Sequence, residues 1–320
     1  MEYMTLIEAA KLQQTPLQRG VIEIFPKVSP VLERLPFFPV NGQAYVYNQE
    51  KTLPGVAFRA LNQNYTADTG VINPAVERLC ILGGISQYDR ALVKTQGNLN
   101  NLRAIHDAMK AKATALLYTR VFFTGDNTAN PTEFDGLYNR LTGNQRINGA
   151  GQVFDLACLD KAIDAVQGTP DVIFCNKIMR REINAAVRAA GQAIETVNGA
   201  FGQQLPAYAG IPIAVIEDDE TGAEILGFEE CKADIYVVRF GVKEYVSGLQ
   251  AGALDVENLG PNGIFLETLI EWIAGLGVFH PKAAAIYENI LQSGNVCEAE
   301  CSTTSSTTST SSTTSTSTGP

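Results

Sequence analysis

A chain of 320 residues holds about two ordinary domains and can bury a sizeable hydrophobic core. Charged residues make up 18% against a usual share of ~25%, so the surface is short of solvating charge and broad contact with other subunits is expected. The net charge of −10 has the wrong sign for a protein that binds nucleic acid by neutralising phosphates. No apolar run approaches the ~18 residues of a membrane span, and Glu2, Glu8 and Lys11 stand where a signal peptide needs its apolar core. A soluble protein made in the cytoplasm is expected, with no membrane partner. Cys80, Cys158, Cys175 and Cys231 are scattered and Cys297 and Cys301 lack Cys-x-x-Cys spacing, so free thiols are expected.

In chain order, Thr5 and Glu8 fit a capping box before a short helix reaching about Lys11. Ser29-Pro30 supplies a cap and a proline at the first helical position, ahead of Val31, Leu32 and Leu35 and a stop by Pro36. Strand-like Ala44 to Tyr47 and Val56 to Leu61, with Pro54-Gly55 between them, predict a long hairpin. Leu79 to Ile85 predicts a further strand in which Gly83-Gly84 marks a bulge or a close backbone approach. From Leu99 to Phe122 apolar residues recur at three and four, among them Leu102, Ile105, Met109, Leu116 and Val121, which predicts one long helix. An ordered loop follows through Gly125-Asp126, Pro131 and Phe134-Asp135-Gly136-Leu137. Near Val153 a second domain begins, with a helix capped by Asp155, a strand to Cys175, a helix capped by Asn176 and ending before Gly191, and a strand from Ile211 to Ile216. Seven acids and no base between Glu217 and Glu230 predict a solvated loop, and residues 215–301 hold 16 acids and 4 bases. Strand-like segments from Ile235, Glu244 and Ile264 precede Pro281 and a predicted closing helix through Ala285, Ile286 and Ile290. The Ser/Thr-only run from 302 has no apolar side chain to offset the entropy of ordering and reads as a disordered tail.

Chemistry-bearing motifs are missing throughout. There is no P-loop, dinucleotide fingerprint, His-Glu-x-x-His or Gly-x-Ser-x-Gly, and both histidines, His106 and His280, read as structural. The acids at 217–220 lack the ligand spacing of a calcium loop, and Cys297 and Cys301 would need two more ligands to hold zinc. Asn64-Tyr65-Thr66 matches the glycosylation triplet but no secretory signal accompanies it. No catalytic residue, cofactor or metal is expected.

The order of these parts resembles the major capsid proteins of tailed bacteriophages, whose α+β fold is shared with encapsulin shells and the herpesvirus capsid floor domain. The resemblance rests on the long helix running into Phe122-Phe123-Thr124-Gly125-Asp126-Asn127 and then Phe134-Asp135-Gly136-Leu137, on Tyr208-Ala209-Gly210-Ile211-Pro212-Ile213, and on Phe279-His280-Pro281-Lys282-Ala283. It implies an N-terminal arm (1–39), an extended E-loop hairpin (40–70), a peripheral domain (71–152) with its spine helix at 99–122, and an axial domain (153–248). Return strands and a closing helix of the peripheral domain (249–301) and the tail (302–320) complete the chain. It implies self-assembly of hexamers and pentamers into an icosahedral virion shell around the phage genome, with Tyr45, Tyr47, Lys51, Phe58 and Leu61 of the hairpin at a subunit interface. A separate scaffolding protein, portal and decoration proteins, and DNA packaged without specific binding are the implied partners. Because the hairpin begins within about forty residues of Met1, either a separate scaffold acts or this chain is a mature form. An encapsulin shell, or an α/β enzyme with an unrecognised site, are the alternatives. Some relatives weld their shells by an isopeptide bond from a hairpin lysine to an asparagine. Here the resemblance points to Lys51, with Asn258, Asn262 or Asn289 as partner and Glu267 or Glu271 as base, while a shell held by non-covalent contacts is the other outcome.

Overall fold

The computed structural model describes residues 28–52, 54–91, 99–198, 204–219, 221–228 and 232–292. The Thr5–Glu8 capping box, the tail, and Cys231, Cys297 and Cys301 lie outside these residues. The Ser29 side chain accepts from the Leu32 amide and so opens helix α1 (Pro30–Arg34), whose Val31 and Leu32 are fully buried. Short strand β1 (Phe37–Pro39) follows, then β2 (Ala44–Thr52), β3 (Val71–Arg78) and β4 (Cys80–Asp89). The long helix expected at 99–122 is α2 (Leu99–Thr124), and Ala111, Ala115, Tyr118 and Phe122 along it are fully buried. Two alanines on that stripe let the helix lie close to a sheet, where Tyr118 meets Trp272 with ring centroids 5.1 Å apart.

That sheet orders β1, β12 (Val246–Gln250), β14 (Phe265–Val278) and β13 (Asp255–Asn262), with β4 along the other side of β14. β13 was not foreseen; its Leu259-Gly260-Pro261 run gives a weak strand signal, and Asn258 and Gly260 flank a break in register. The β4–β14 ladder runs unbroken from Cys80↔Ala274 to Asp89↔Phe265, and the close approach expected at Gly83 is real, since a Cβ there would meet the Ile270 carbonyl oxygen.

Beyond α2 the chain turns back on itself. The Gly136 amide donates to the Gly125 carbonyl at 2.9 Å, and a Cβ on Gly136 would sit 2.6 Å from the Gly125 nitrogen. Asp135 accepts from the Asn127 amide and Asp126 from the Thr128 amide, so the Gly-Asp and Asp-Gly pairs fasten two ends of one loop. Helix α3 (Leu137–Arg140) then leads to β5 (Arg146–Asn148).

The second sheet orders β5, β15 (Ala284–Leu291), β11 (Lys232–Val238), β6 (Val172–Cys175), β9 (Ile211–Val215), β8 (Gln204–Tyr208) and β7 (Glu195–Asn198), with β10 (Gly227–Phe228) also on β11. Helices α4 (Leu156–Ala165) and α5 (Lys177–Ala189) begin at the expected Asp155 and Asn176 caps. They cover one face, where Leu159, Met179 and Ile183 pack with Ile173, Ile235, Val237, Ala285 and Tyr287. Phe122, Val172, Phe174, Tyr236, Val238, Ala284 and Ile286 belong to the core on the other face.

This sandwich overturns the closing helix. Residues 284–291 form β15, paired with β11 on one side and β5 on the other. A strand buried on both faces is apolar throughout, so Ala-Ala-Ile-Tyr carries no alternation to separate it from a helix. β5 and β15 consequently join the sheet of the 172–215 segment, whereas 71–152 and 249–301 were expected to stay in the peripheral part. The hairpin also needs correction. β2 pairs with β3, from Ala44↔Arg78 to Thr52↔Val71, and Val56–Leu61, expected as the return strand, lies in a loop without regular structure. Among the described residues the apolar side chains of that segment have nothing to pack on, and its β-propensity alone does not make a strand.

Candidate assembly surface

The β2–β3 hairpin is fastened to the body by the face that carries Tyr45 and Tyr47 of β2 and Glu77 of β3. Tyr45 packs edge-on against Phe38 and Phe279, with centroids 5.4 and 5.9 Å away, and Tyr47 lies 4.7 Å from Phe279. The Tyr47 hydroxyl donates to the Val278 carbonyl at 2.9 Å and to Glu77 Oε1 at 3.2 Å, and burial beside that carboxylate pushes its pKa up. Arg140 Nη1 donates to the same Glu77 oxygen at 2.6 Å while its Nε donates to the Asp135 carbonyl. Further out, Gln49 Nε2 donates to the Phe279 carbonyl at 3.4 Å. Strand alternation puts the intervening residues on the opposite face, where Val46 and its cross-strand partner Val76 are 63% and 57% exposed.

Loop 54–70 closes the hairpin. Its Gly55 amide donates to Asp68 Oδ2, and Arg59 donates to the Gln63 carbonyl and stacks over Tyr65. These bonds hold the loop together, yet Val56, Phe58 and Leu61 are at least nine-tenths exposed. Large apolar side chains exposed on one loop make it a candidate contact surface.

The five interface residues named from the sequence therefore divide. Phe58 and Leu61 stand free on the loop. Tyr45 and Tyr47 do not, because they are occupied in packing the hairpin root on their own subunit, and the outward face belongs to Val46 and Val76 instead. Lys51 is on β2 near its end. Asn258 and Asn262 lie on β13 and Glu267 and Glu271 on β14, with Asn262 donating to Glu267. Asn289 is apart from them in the second sheet, where its Nδ2 donates to Asn148. Glu77 and Arg140, which hold the hairpin root, escaped the sequence reading, since a buried ion pair 63 residues apart leaves no local pattern.

Both histidines sit in packing roles: His106 stacks on Tyr88, and His280 Nδ1 accepts from the Lys282 amide. Among the described residues no group of three or more His, Cys, Asp or Glu is placed to hold a metal ion, and no helix is long and apolar enough to cross a membrane. In the acidic loop Asp219 accepts from the amides of Thr221 and Ala223 and closes a tight turn.

Comparison with known proteins bears on this arrangement. Residues 14–159 match the family model described as Major capsid protein GP7. No curated protein sequence matches. Among solved structures, the SrpI encapsulin of Synechococcus elongatus PCC 7942 superposes with a TM-score of 0.67 at 17% identity, over 84% of this chain and 90% of that one. A chain of Mycobacterium phage Bobi gives 0.59 at 12% identity, over 83% and 91%. The capsid of a native GTA particle gives 0.59 at 15% identity, over 82% and 90%. The expected α+β class and capsid fold are thus observed, and the matched family indicates a structural role in a virion shell. A capsid family model thus matches residues 14–159, just under half of this chain, and the fold of the shell proteins extends over most of its length.

Proposed function

We propose that copies of this chain form hexamers and pentamers and close into an icosahedral shell around a phage genome. The observation that carries the reading is the loop at 54–70, whose Val56, Phe58 and Leu61 are exposed among the described residues at the end of a ribbon rooted at Tyr45 and Tyr47. Seating each such loop on the next subunit is a head-to-tail contact, and contacts of that kind form rings where the rotation between subunits closes. Lys51, Phe58 and Leu61 belong to the interface so formed. The net charge of −10 suits a wall that encloses DNA without holding it. A scaffolding protein, a portal and decoration proteins are the further partners of such a shell, and synthesis takes place in the host cytoplasm. An encapsulin shell is the second reading, favoured by the fold likeness to the SrpI protein.

Expression of the chain, with a scaffold supplied where needed, followed by electron microscopy and native mass spectrometry, tests this. Closed shells are expected; monomers and dimers under every assembly condition overturn it. Packaged nucleic acid separates a capsid from an encapsulin filled with protein cargo.

A further inference from the structure

An apolar crevice of about 180 Å³ opens between the start of β4, the second half of α2 and the loop after Gly125. Cys80, Leu117, Val121, Phe134 and Ala274 line it, and Glu133 stands among them. It is not a packing flaw in the middle of the core, because Cys80 and Leu117 are only partly buried and β4 is, among the described residues, an edge strand paired only with β14. A cavity of ~150 Å³ with apolar walls is enough to hold benzene. Its dimensions therefore suit one phenyl ring.

Three properties of loop 54–70 match it. Phe58 is the loop's sole phenylalanine and is fully exposed. The next residue, Arg59, is the single charged side chain between 54 and 67. Around the crevice the charge is mixed: Glu133 Oε1 accepts from Arg120 Nη2 at 3.4 Å and from Asn130 Nδ2 at 3.0 Å, and the Cys80 thiol, pushed up by burial, is pulled down by Arg78 and raised by Glu133 and Asp135. Among the described bonds from β2 to the body, the one at Gln49 lies nearest the loop in the chain, and Phe58 beyond it is fully exposed. Polar neighbours and a ring-sized apolar slot form the kind of pocket in which an aromatic anchor dominates an interface.

We propose that Phe58 of one subunit seats in this crevice on a second copy of the chain, with Arg59 at its mouth facing Glu133. The proposal rests on the shell reading above and names the receiving site for the loop. The native thiol of Cys80 reports on it directly. In shells of the unmodified chain, labelling of Cys80 by N-ethylmaleimide is expected to be at least tenfold slower than in free subunits, read by peptide mass spectrometry. In shells of Phe58→Cys, a short bismaleimide is expected to join position 58 of one subunit to Cys80 of the next. The product is a ladder on a denaturing gel that disappears in Phe58→Cys/Cys80→Ser. Shells in which Cys80 reacts as fast as in free subunits overturn the docking site and leave the shell reading intact. Protection of Cys80 without the cross-link in Phe58→Cys shells overturns Phe58 as the occupant. Should Phe58→Cys fail to assemble, labelling of the unmodified shell still decides whether the crevice is covered. An unmodified chain that never forms shells overturns both readings.

Discussion

Replacing Asp234 by asparagine should make the subunit more stable at pH 8 and leave it unchanged in acid. Asp234 lies on β11 where its register with β15 breaks, and it is 3% exposed. Its Oδ1 accepts from the Asn289 amide at 3.0 Å. Burial raises the carboxyl to about 7, with nearby Glu288 adding to the rise, while the Asn289 amide and Arg146 pull the other way. In the unfolded chain the same group titrates near its ordinary 3.8. The folded state therefore keeps a proton that the unfolded chain has released, so stability falls as pH rises from about 4 to about 7 and is level above that. At ~1.4 kcal/mol per pH unit, the full difference is about 4 kcal/mol. Asparagine keeps an oxygen to accept from Asn289 and carries no charge, so the penalty disappears. Urea unfolding of unassembled subunits, followed by fluorescence of the single tryptophan, the buried Trp272, measures it. The stability gained by Asp234→Asn should be near zero at pH 4, grow through pH 6 and level off above pH 7. A gain independent of pH, or a loss at pH 8, refutes the reasoning.

Other perturbations test other parts of the chain. Joining Thr52 to Val71 through an Asn-Gly turn removes the exposed loop while keeping the β2–β3 ladder; circular dichroism should stay native and electron microscopy should find no stable shells. Arg140→Met strands the Glu77 carboxylate, whose side chain is 9% exposed, and should cost about 3 kcal/mol in urea unfolding, with part regained in Arg140→Met/Glu77→Gln. Gly136→Ala forces a methyl into the 2.6 Å approach to the Gly125 nitrogen and should cost about 2 kcal/mol or more, read as a lowered Tm. Truncation after Cys301 should leave shell closure intact by electron microscopy, since Ser and Thr alone bury nothing that could join subunits.

Local chemistry made much of this fold readable in advance. Ser29, Asp155 and Asn176 each accept an amide hydrogen bond at the helix start where they were placed, because a cap acts within three residues of itself. Gly125 and Gly136 mark an ordered loop in the sequence, but their close approach to each other does not follow from local chemistry. At 284–291 the same reasoning failed. Alanine favours a helix in isolation, but here two layers of side chains bury both faces of the segment, and that tertiary burial decides its form.

The assembly surface divides along the same line between local and distant causes. Alternation along Tyr45-Val46-Tyr47 predicts two faces for β2, but which face turns inward depends on Phe279, more than 200 residues away. Aromatic content alone favoured the tyrosines as interface residues, whereas Phe279, Val278 and Glu77 hold them in their own subunit. The rooting that packs the tyrosines on their own subunit also bears on the loop. A two-stranded ribbon is marginal in water, and this one is stiffened at its base by ring packing and by the Tyr47–Glu77–Arg140 bonds. In the proposed shell less conformational freedom then remains to be lost on contact of Phe58 and Leu61 with a neighbour, so the buried root would lower the entropic cost of that contact.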